Sequence, residues 1–388
     1  MAETISQKIG ARPQLVIVGS GLFGLTVARL AAERGFKCLI LERRSHPGGN
    51  AWSELDPETG IEVHKYGSHL FHTSNEKVWA FVNRFSSFNN YQHHVFSRFD
   101  NRVFRLPVNL QTINDYFGLD LTPKQARTFL DEQTAAFQAT RDLNLEGRAK
   151  ALVGEALYQA FFKGYTAKQW GVDPSELPAE VISRLPLRTS YDSRYFKDKY
   201  EGLPVEGYFG LVNNMLDHPK IDIWLTVDYF DVKSEIDPAV PVVYCGPIDR
   251  YFNFSLGELG WRTLDFHWER HAVDDYQGCA VMNYADESVP WTRIHEFRHL
   301  HPERNYGEST IISKEFSRIS SGVDDEPYYP MNALRDRTIL DGYRKLASRE
   351  PNTFFGGRLG TYQYLDMHMA IASAITKFEN EILPTLTP

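Results

Sequence analysis

Leu15-Val16-Ile17-Val18 is an apolar, β-branched run that leads directly into Gly19-Ser20-Gly21-Leu22-Phe23-Gly24, and this junction limits what the chain can fold into more than any other stretch. A small-residue helical pattern follows from Leu22 to Arg34 and stops at Gly35. A second apolar run, Cys38 to Leu41, ends at Glu42. Strand, glycine turn, helix and strand in this order make a βαβ unit whose parallel strands are buried. In such a unit Gly19 permits the tight turn, Gly21 lets the backbone approach a pyrophosphate, and Gly24 lets helix and strand pack closely. The helix N-terminus offers free N–H groups to phosphate. Glu42 lies where a carboxylate accepts from ribose hydroxyls. The motif therefore predicts dinucleotide binding. Gly48-Gly49-Asn50, just past that carboxylate, favours FAD over NAD, although Val27 stands where a flavin fingerprint often has Gly or Ala.

At 388 residues the chain exceeds one core in most folds, so two or three subdomains are expected. Thr122-Pro123 resembles a helix start. A second helix is predicted from Asn144 to Lys163, with Ala149, Leu152, Val153, Ala156, Leu157, Ala160 and Phe161 on one apolar face. From about 220 to 330 the runs shorten and alternate, as in Ile221 to Thr226, Val242 to Cys245 and Trp291 to Leu300, which predicts strands. The last 40 or so residues repeat the pattern of the beginning, with a strand and turn at Phe354-Phe355-Gly356-Gly357 and then a helix from Met367 to Phe378. The expected fold is α/β, a Rossmann-like FAD-binding domain with a helical subdomain and a mainly antiparallel β-sheet subdomain. The expected segments are 1–90, 206–247 and 334–388 for the FAD domain, 91–109 and 248–333 for the sheet, and 110–205 for the helices, including a lid at about 173–205.

The formal charge of −8 makes nucleic acid a poor partner, and an anionic ligand would need locally placed arginines. Three scattered cysteines, Cys38, Cys245 and Cys279, suggest neither a disulfide framework nor a zinc cluster. They fit a reducing compartment. Neither a signal peptide nor a membrane span is evident, so a cytoplasmic protein is expected. His295-Glu296-Phe297-Arg298-His299 matches the HExxH zinc string, which requires a helix. The alternation from Trp291 to His299 predicts a strand instead, and no metal site is expected.

Several blocks together resemble the bacterial UDP-galactopyranose mutase family over nearly the whole chain. They are Val18 to Gly24, Leu41 to Asn50, Tyr66 to Thr73 (YGSHLFHT), Phe162 to Trp170 (FKGYTAKQW), Thr292 to Phe297 (TRIHEF), Glu326 to Pro330 (EPYYP) and Gly357 to Met367 (GRLGTYQYLDM). The resemblance implies a flavin-dependent isomerase that interconverts UDP-galactopyranose and UDP-galactofuranose without net redox change. In that reading N5 of the reduced flavin attacks the anomeric carbon, and UDP leaves and returns. An electron donor such as NAD(P)H or a reductase keeps the flavin reduced. The protein would be a homo-oligomer, with the helical subdomain as a candidate interface.

Carried over by motif, Arg184 and Arg293 clamp the diphosphate, and His69 lies beside flavin and sugar. Phe161, Phe162, Tyr165, Thr166 and Trp170 form the uridine side. Tyr195, Tyr329 and Tyr364 contact phosphate, and Arg358 lies near both flavin and galactose. Asn283 and His93 match weaker contacts, and the adjacent His94 leaves the register of the latter open. Cofactor contacts fall to Gly19, Gly21, Leu22, Phe23, Gly24, Glu42, Arg43, Gly49, Asn50, His69, Leu70, Arg358, Asp366 and Met367. Taken singly, each of these aromatics is more often a core residue. An amine-oxidase-like oxidoreductase shares the opening motif but has no diphosphate to grip. A nucleotide-sugar-binding flavoprotein without turnover is the other alternative.

Overall fold

The computed structural model describes residues 12–182, 187–322 and 325–386. The two opening apolar runs pair in parallel, Leu15 opposite Cys38 through Val18 opposite Leu41. They form the middle of a five-stranded parallel sheet ordered Thr353–Phe355, Val242–Tyr244, Leu15–Val18, Cys38–Leu41, Ile221–Trp224. Both faces are covered, which explains why the central strands are apolar at every position. The helix Leu22–Glu33 covers one face, and Ile371 and Ala374 of the helix Met367–Lys377 share its core with Leu25 and Ala28. Tyr229, Tyr244 and Tyr251 help cover the other face.

Strands from the middle of the chain build a second sheet of seven. Its order is Tyr329–Pro330, Trp261–His271, Thr310–Ile319, Arg293–Glu296, Val281–Tyr284, Val95–Phe99, Arg102–Leu106. Every pairing is antiparallel except that of Val281–Tyr284 with Val95–Phe99. The 220–330 region was expected to hold short runs, yet it carries the two longest strands of this sheet, of 11 and 10 residues. Charged and polar residues along both conceal the length, because each is buried on both faces over its first four residues and becomes more exposed beyond them. The strand expected from Trp291 to Leu300 is confined to Arg293–Glu296 and gives way to a 3₁₀ turn, Phe297–Leu300. Phe297 and Leu300 turn inward there and join the core containing Val281 and Ile311, which also extends beneath the parallel sheet.

A helical subdomain follows the second sheet's edge strand. Gln125 caps its second helix, Pro123–Thr134, by accepting from both the N–H and the hydroxyl of Thr122. The helix expected from Asn144 to Lys163 starts as read, with Asn144 accepting from the Gly147 N–H. It is broken at Gly154, whose φ of 82° only glycine adopts easily, and passes at Gln159 into a π-helical turn. Among the described residues no helix is long and apolar enough to cross a membrane.

The packing of the first helix on its strand depends on Gly24. A β-carbon there would lie 2.1 Å from the Gly19 carbonyl oxygen and 3.1 Å from the Ile17 side chain. Gly24→Ala is expected to cost about 1–3 kcal/mol, as overpacking of a tight core does. A lower urea midpoint at unchanged slope would show it, and a wild-type midpoint would remove this constraint.

Candidate active site

A cavity of about 580 Å³ opens at the carboxyl ends of Leu15–Val18, Cys38–Leu41 and Val242–Tyr244, the place where open α/β sheets bind ligands. Gly19 at its floor has a φ of 96°. Gly21 has an ordinary φ of −63°, but a β-carbon on it would meet nothing within 4 Å. Its missing side chain leaves space beside the N-terminus of Leu22–Glu33, where N–H groups await an anion. Gly48 bridges to Gly21, and Gly49 lies so close that its β-carbon would sit 3.0 Å from the Gly21 Cα. The two glycine pieces of the sequence thus form one floor. Leu22 and Phe23 complete it from the helix, and the Phe23 ring occupies the space that a side chain on Gly356 would need. Glu42 is buried at the wall and accepts from Ser20 N–H (2.8 Å), Ser20 hydroxyl (2.6 Å) and Arg44 N–H (2.9 Å). The predicted ribose acceptor therefore also locks the glycine loop. Arg43 pairs with Glu326 at 3.0 Å at the rim. Arg44, not singled out from the sequence, reaches Glu326 at 2.5 Å and Asn50 at 2.7 Å and lies 4.4 Å over the Tyr66 ring. This clamp ties the parallel-sheet body to the EPYYP loop of the other body.

His69 and Met367 also line the cavity, with Leu70 half-buried beside His69. The Nδ1 of His69 faces the Gly67 carbonyl at 2.7 Å, and the His69 backbone N–H donates to His64 Nδ1 at 3.0 Å. Burial first, with Arg358, His295 and Arg44 adding to it, pushes His69 down to about 4, so the ring is neutral near pH 7. With its proton on Nδ1 for the carbonyl, Nε2 carries a lone pair. Arg358 is anchored on the Tyr328 and Leu365 carbonyls and lies 4.9 Å over the Tyr364 ring. Tyr364 stacks on Tyr329 at 5.9 Å and hydrogen-bonds Asp366.

The sheet brings Arg293 to the same place. Pairing register sets it opposite Asn283 on one side and Glu315 on the other. Its Nε lies 3.3 Å from Glu315, and its guanidinium donates to the Tyr165 hydroxyl. Burial pushes Glu315 up, but the Arg293 charge and the hydrogen bonds of His295 and Thr292 outweigh it, leaving the carboxyl at about 2. The Arg293 charge is also felt at Tyr329, Tyr195 and His93. His93, not His94, faces this cluster: its ring lies 5.5 Å from that of Tyr195, whereas His94 approaches the Ser193 carbonyl. Burial and Arg293 push His93 down to about 3. The Asn283 Oδ1 is buried with no partner among the described residues.

The helical side is more closed. Phe161 and Phe162 are buried in the helical core, and Phe161 meets Phe99, Phe104 and Tyr116 edge-on. Trp170 packs against the same core, and Thr166 is buried between it and Tyr165 in the helix Gly164–Trp170. Arg184 falls outside the described residues. Nothing in the sequence singled out Lys168, whose ammonium shares its three N–H groups among four carbonyls, of Tyr284, Asp286, Val289 and Trp291, at 2.7 to 3.2 Å. It pins the turn between the Asn283 and Arg293 strands to the helix that carries Tyr165. Glu315 was missed as well, since an inward charge on a strand is invisible until the register is known. The HExxH residues separate: His295 bridges Ser68 and Glu315, while His299 sits on the turn near Asp275 and Glu296.

Among known proteins, the family model described as UDP-galactopyranose mutase matches residues 160–364, and one described as NAD(P)-binding Rossmann-like domain matches residues 17–85. A probable UDP-galactopyranose mutase from Klebsiella pneumoniae is 42% identical over 373 residues, 96% of this chain and 95% of its own. A dTDP-fucopyranose mutase from Escherichia coli is also 42% identical, over 93% of this chain and 96% of its own. A crystal structure of reduced UDP-galactopyranose mutase matches with a TM-score of 0.73 and 15% identity, covering 96% of this chain and 94% of that one, a likeness of fold.

Two outcomes are expected. Gly21→Ala keeps the wild-type urea midpoint but retains less dinucleotide through gel filtration, because its methyl enters open space; full retention would argue that nothing approaches Gly21. The depressed Glu315 carboxyl stabilises the fold above its unfolded value near 4.5, and that contribution is lost as pH falls toward about 2. It amounts to on the order of 3 kcal/mol. Acid unfolding profiles should show a shallower loss between pH 4.5 and 2 in Glu315→Gln, and parallel profiles would contradict the pairing.

Proposed function

The chain belongs to the UDP-galactopyranose mutase family, a family of flavin-dependent isomerases, and from that premise we propose that it interconverts UDP-galactopyranose and UDP-galactofuranose with FAD as cofactor. The observation that carries the reading is Arg358, which lines the dinucleotide cavity together with His69 and lies 4.9 Å over Tyr364, itself stacked on Tyr329. A diphosphate beside a reduced flavin suits such a place. The open space at Gly21, the glycine floor and Glu42 fit the pyrophosphate and ribose of FAD, with Gly19, Gly24, Gly49, Asn50 and Arg43 framing them. Leu70, Arg358, Asp366 and Met367 lie toward the isoalloxazine end. When bound and reduced, the flavin supplies a nucleophilic nitrogen for the anomeric carbon. An NAD(P)H-dependent donor or a reductase would keep it reduced.

The remaining work falls to the protein's own groups. Arg293, with Arg184, holds the diphosphate and stabilises charge developing on departing UDP. Glu315 and Tyr165 keep the Arg293 guanidinium oriented. Tyr195, Tyr329 and Tyr364 donate hydroxyl hydrogens to phosphate oxygens. Nε2 of neutral His69 accepts a proton from the flavin side or a sugar hydroxyl. Tyr165, Thr166, Trp170, Asn283 and His93 flank the nucleoside, with Phe161 and Phe162 stiffening the turn beneath. We assign the cofactor to segments 1–90, 206–247 and 334–388, and the nucleotide sugar to the cleft between them, the sheet (91–109, 248–333) and the helices (110–205). A homo-oligomer in the cytoplasm completes the proposal.

The equal identity to a dTDP-fucopyranose mutase favours one second reading, a dTDP-linked 6-deoxy sugar in place of UDP-galactose. The test incubates purified protein with UDP-galactofuranose or dTDP-fucofuranose, with and without dithionite, and separates the nucleotide sugars by chromatography. Conversion of the UDP sugar only after reduction is expected. Conversion of the dTDP sugar alone would move the assignment to the second reading, and equal rates without reductant would sink the reduced-flavin role. Arg293→Ala and Arg184→Ala should each lower turnover on the order of 10²-fold or more, and near-full activity in either would remove that residue from the clamp.

A further inference from the structure

His72, His368 and Asp366 place one ligand atom each within 4.8 Å of one another, outside the groups assigned to proton transfer and the diphosphate. We propose that they form a binding site for a divalent transition-metal ion, with Asp198 as the outer carboxylate that orients His72.

His72 lies on the short strand Phe71–Thr73 and is only 8% exposed. Its Nδ1 is held by Asp198 at 2.7 Å, which leaves Nε2 as the nitrogen able to coordinate. Asp198 is itself fixed by the Ser74 hydroxyl at 2.8 Å. A carboxylate on the far nitrogen of an imidazole is the usual support of a metal-ligating histidine, since it sets tautomer and ring orientation. Phe196 stacks on the His72 ring at 3.6 Å and limits its rotation further. The His368 ring meets the His72 ring edge-on at 4.7 Å. Its Nδ1 is buried and has no hydrogen-bond partner among the described residues, a cost that a bound ion would remove. Asp366 hydrogen-bonds Tyr364, and its carboxylate has lone pairs for a second partner.

Two imidazoles and one carboxylate suit zinc, nickel or cobalt, and not the all-oxygen preference of magnesium or calcium. Ligand atoms of a tetrahedral site with bonds of about 2.1 Å stand roughly 3.4 Å apart, so with His72 held in place the ion must draw His368 and Asp366 inward by on the order of 1 Å. In the other cluster of this kind among the described residues, Asp275, Glu296 and His299, the members already pair with one another. Glu296 already accepts from the Tyr276 and Gln277 N–H groups and from the Thr310 hydroxyl, so most of its acceptor sites serve the protein itself. The HExxH string therefore contributes an ion pair, while the metal site arises from residues far apart in sequence. An ion there would tie the segment carrying Tyr195, Phe196 and Asp198 to the start of the helix Met367–Lys377 at the cavity.

The test uses tag-free oxidised holoenzyme, stripped with chelator and titrated with zinc chloride by calorimetry. One zinc per chain is expected. His368→Gln should weaken binding by at least about 100-fold, and Asp198→Asn by about 10–100-fold, the range for loss of an outer-sphere partner. His299→Gln should bind as wild type does. Absence of binding, binding that survives His368→Gln, or binding lost in His299→Gln would each overturn the site.

Discussion

A buried carboxylate facing a buried guanidinium sets the terms for this structure. Glu315 is nearly inaccessible, and so large a desolvation cost is tolerated only where opposite charge and hydrogen bonds surround the group. Arg293 at 3.3 Å, His295 at 3.1 Å and the Thr292 hydroxyl at 2.9 Å supply them. The pair exists because antiparallel register places residues 293 and 315 opposite each other, and a slip of either strand by one residue would turn its charge to the other face, away from its partner. The rest of the cluster follows from it. Arg293 reaches Tyr165, Tyr165 belongs to a helix, and Lys168 of that helix gathers four carbonyls of the turn that precedes Arg293. Helix and hairpin thereby hold each other at the cleft.

Two bodies of different construction meet at this cleft. Their apolar interiors are continuous, since Phe297 and Ile311 of the mixed sheet share a core with Leu25 and Ile371 beside the parallel sheet. Polar ties cross the same boundary: Arg44 and Arg43 to Glu326, Ser68 to His295, and His301 to Glu62 at 2.9 Å. The cavity is thus walled by both bodies, with Glu42, Arg43, Arg44 and Arg358 reaching it from the parallel-sheet side and Glu326 from the other. A chain of net charge −8 still brings Arg43, Arg44 and Arg358 to the cavity, the first two steadied by Glu326 and the third by two backbone carbonyls.

Local signals in the chain were reliable wherever one element carries its own reason. The glycine turn, the strand before it and the helix after it form as read, and so do the Thr122-Pro123 and Asn144 helix starts. Signals failed where tertiary packing takes over. Gly154 breaks an apparently continuous apolar helix, and the strand pattern after Trp291 bends at Phe297 because Phe297 and Leu300 find the core from a 3₁₀ turn. Among site residues, those in blocks resembling the family were legible by motif. Arg44, Lys168 and Glu315 were not, since each acts through partners distant in sequence.

By itself the sequence determined the dinucleotide-binding βαβ unit and the family, because both rest on residue types at short, fixed spacings: glycines where the backbone must turn or be approached, and a carboxylate one strand further on. Only the tertiary structure decided which charges meet. Whether Arg293 faces Glu315, whether His93 or His94 faces Tyr195, and whether His72, His368 and Asp366 gather at one point all depend on strand register and on contacts between segments far apart in the chain. Burial then turns those meetings into fixed charge states, because a buried charge persists only beside its partner.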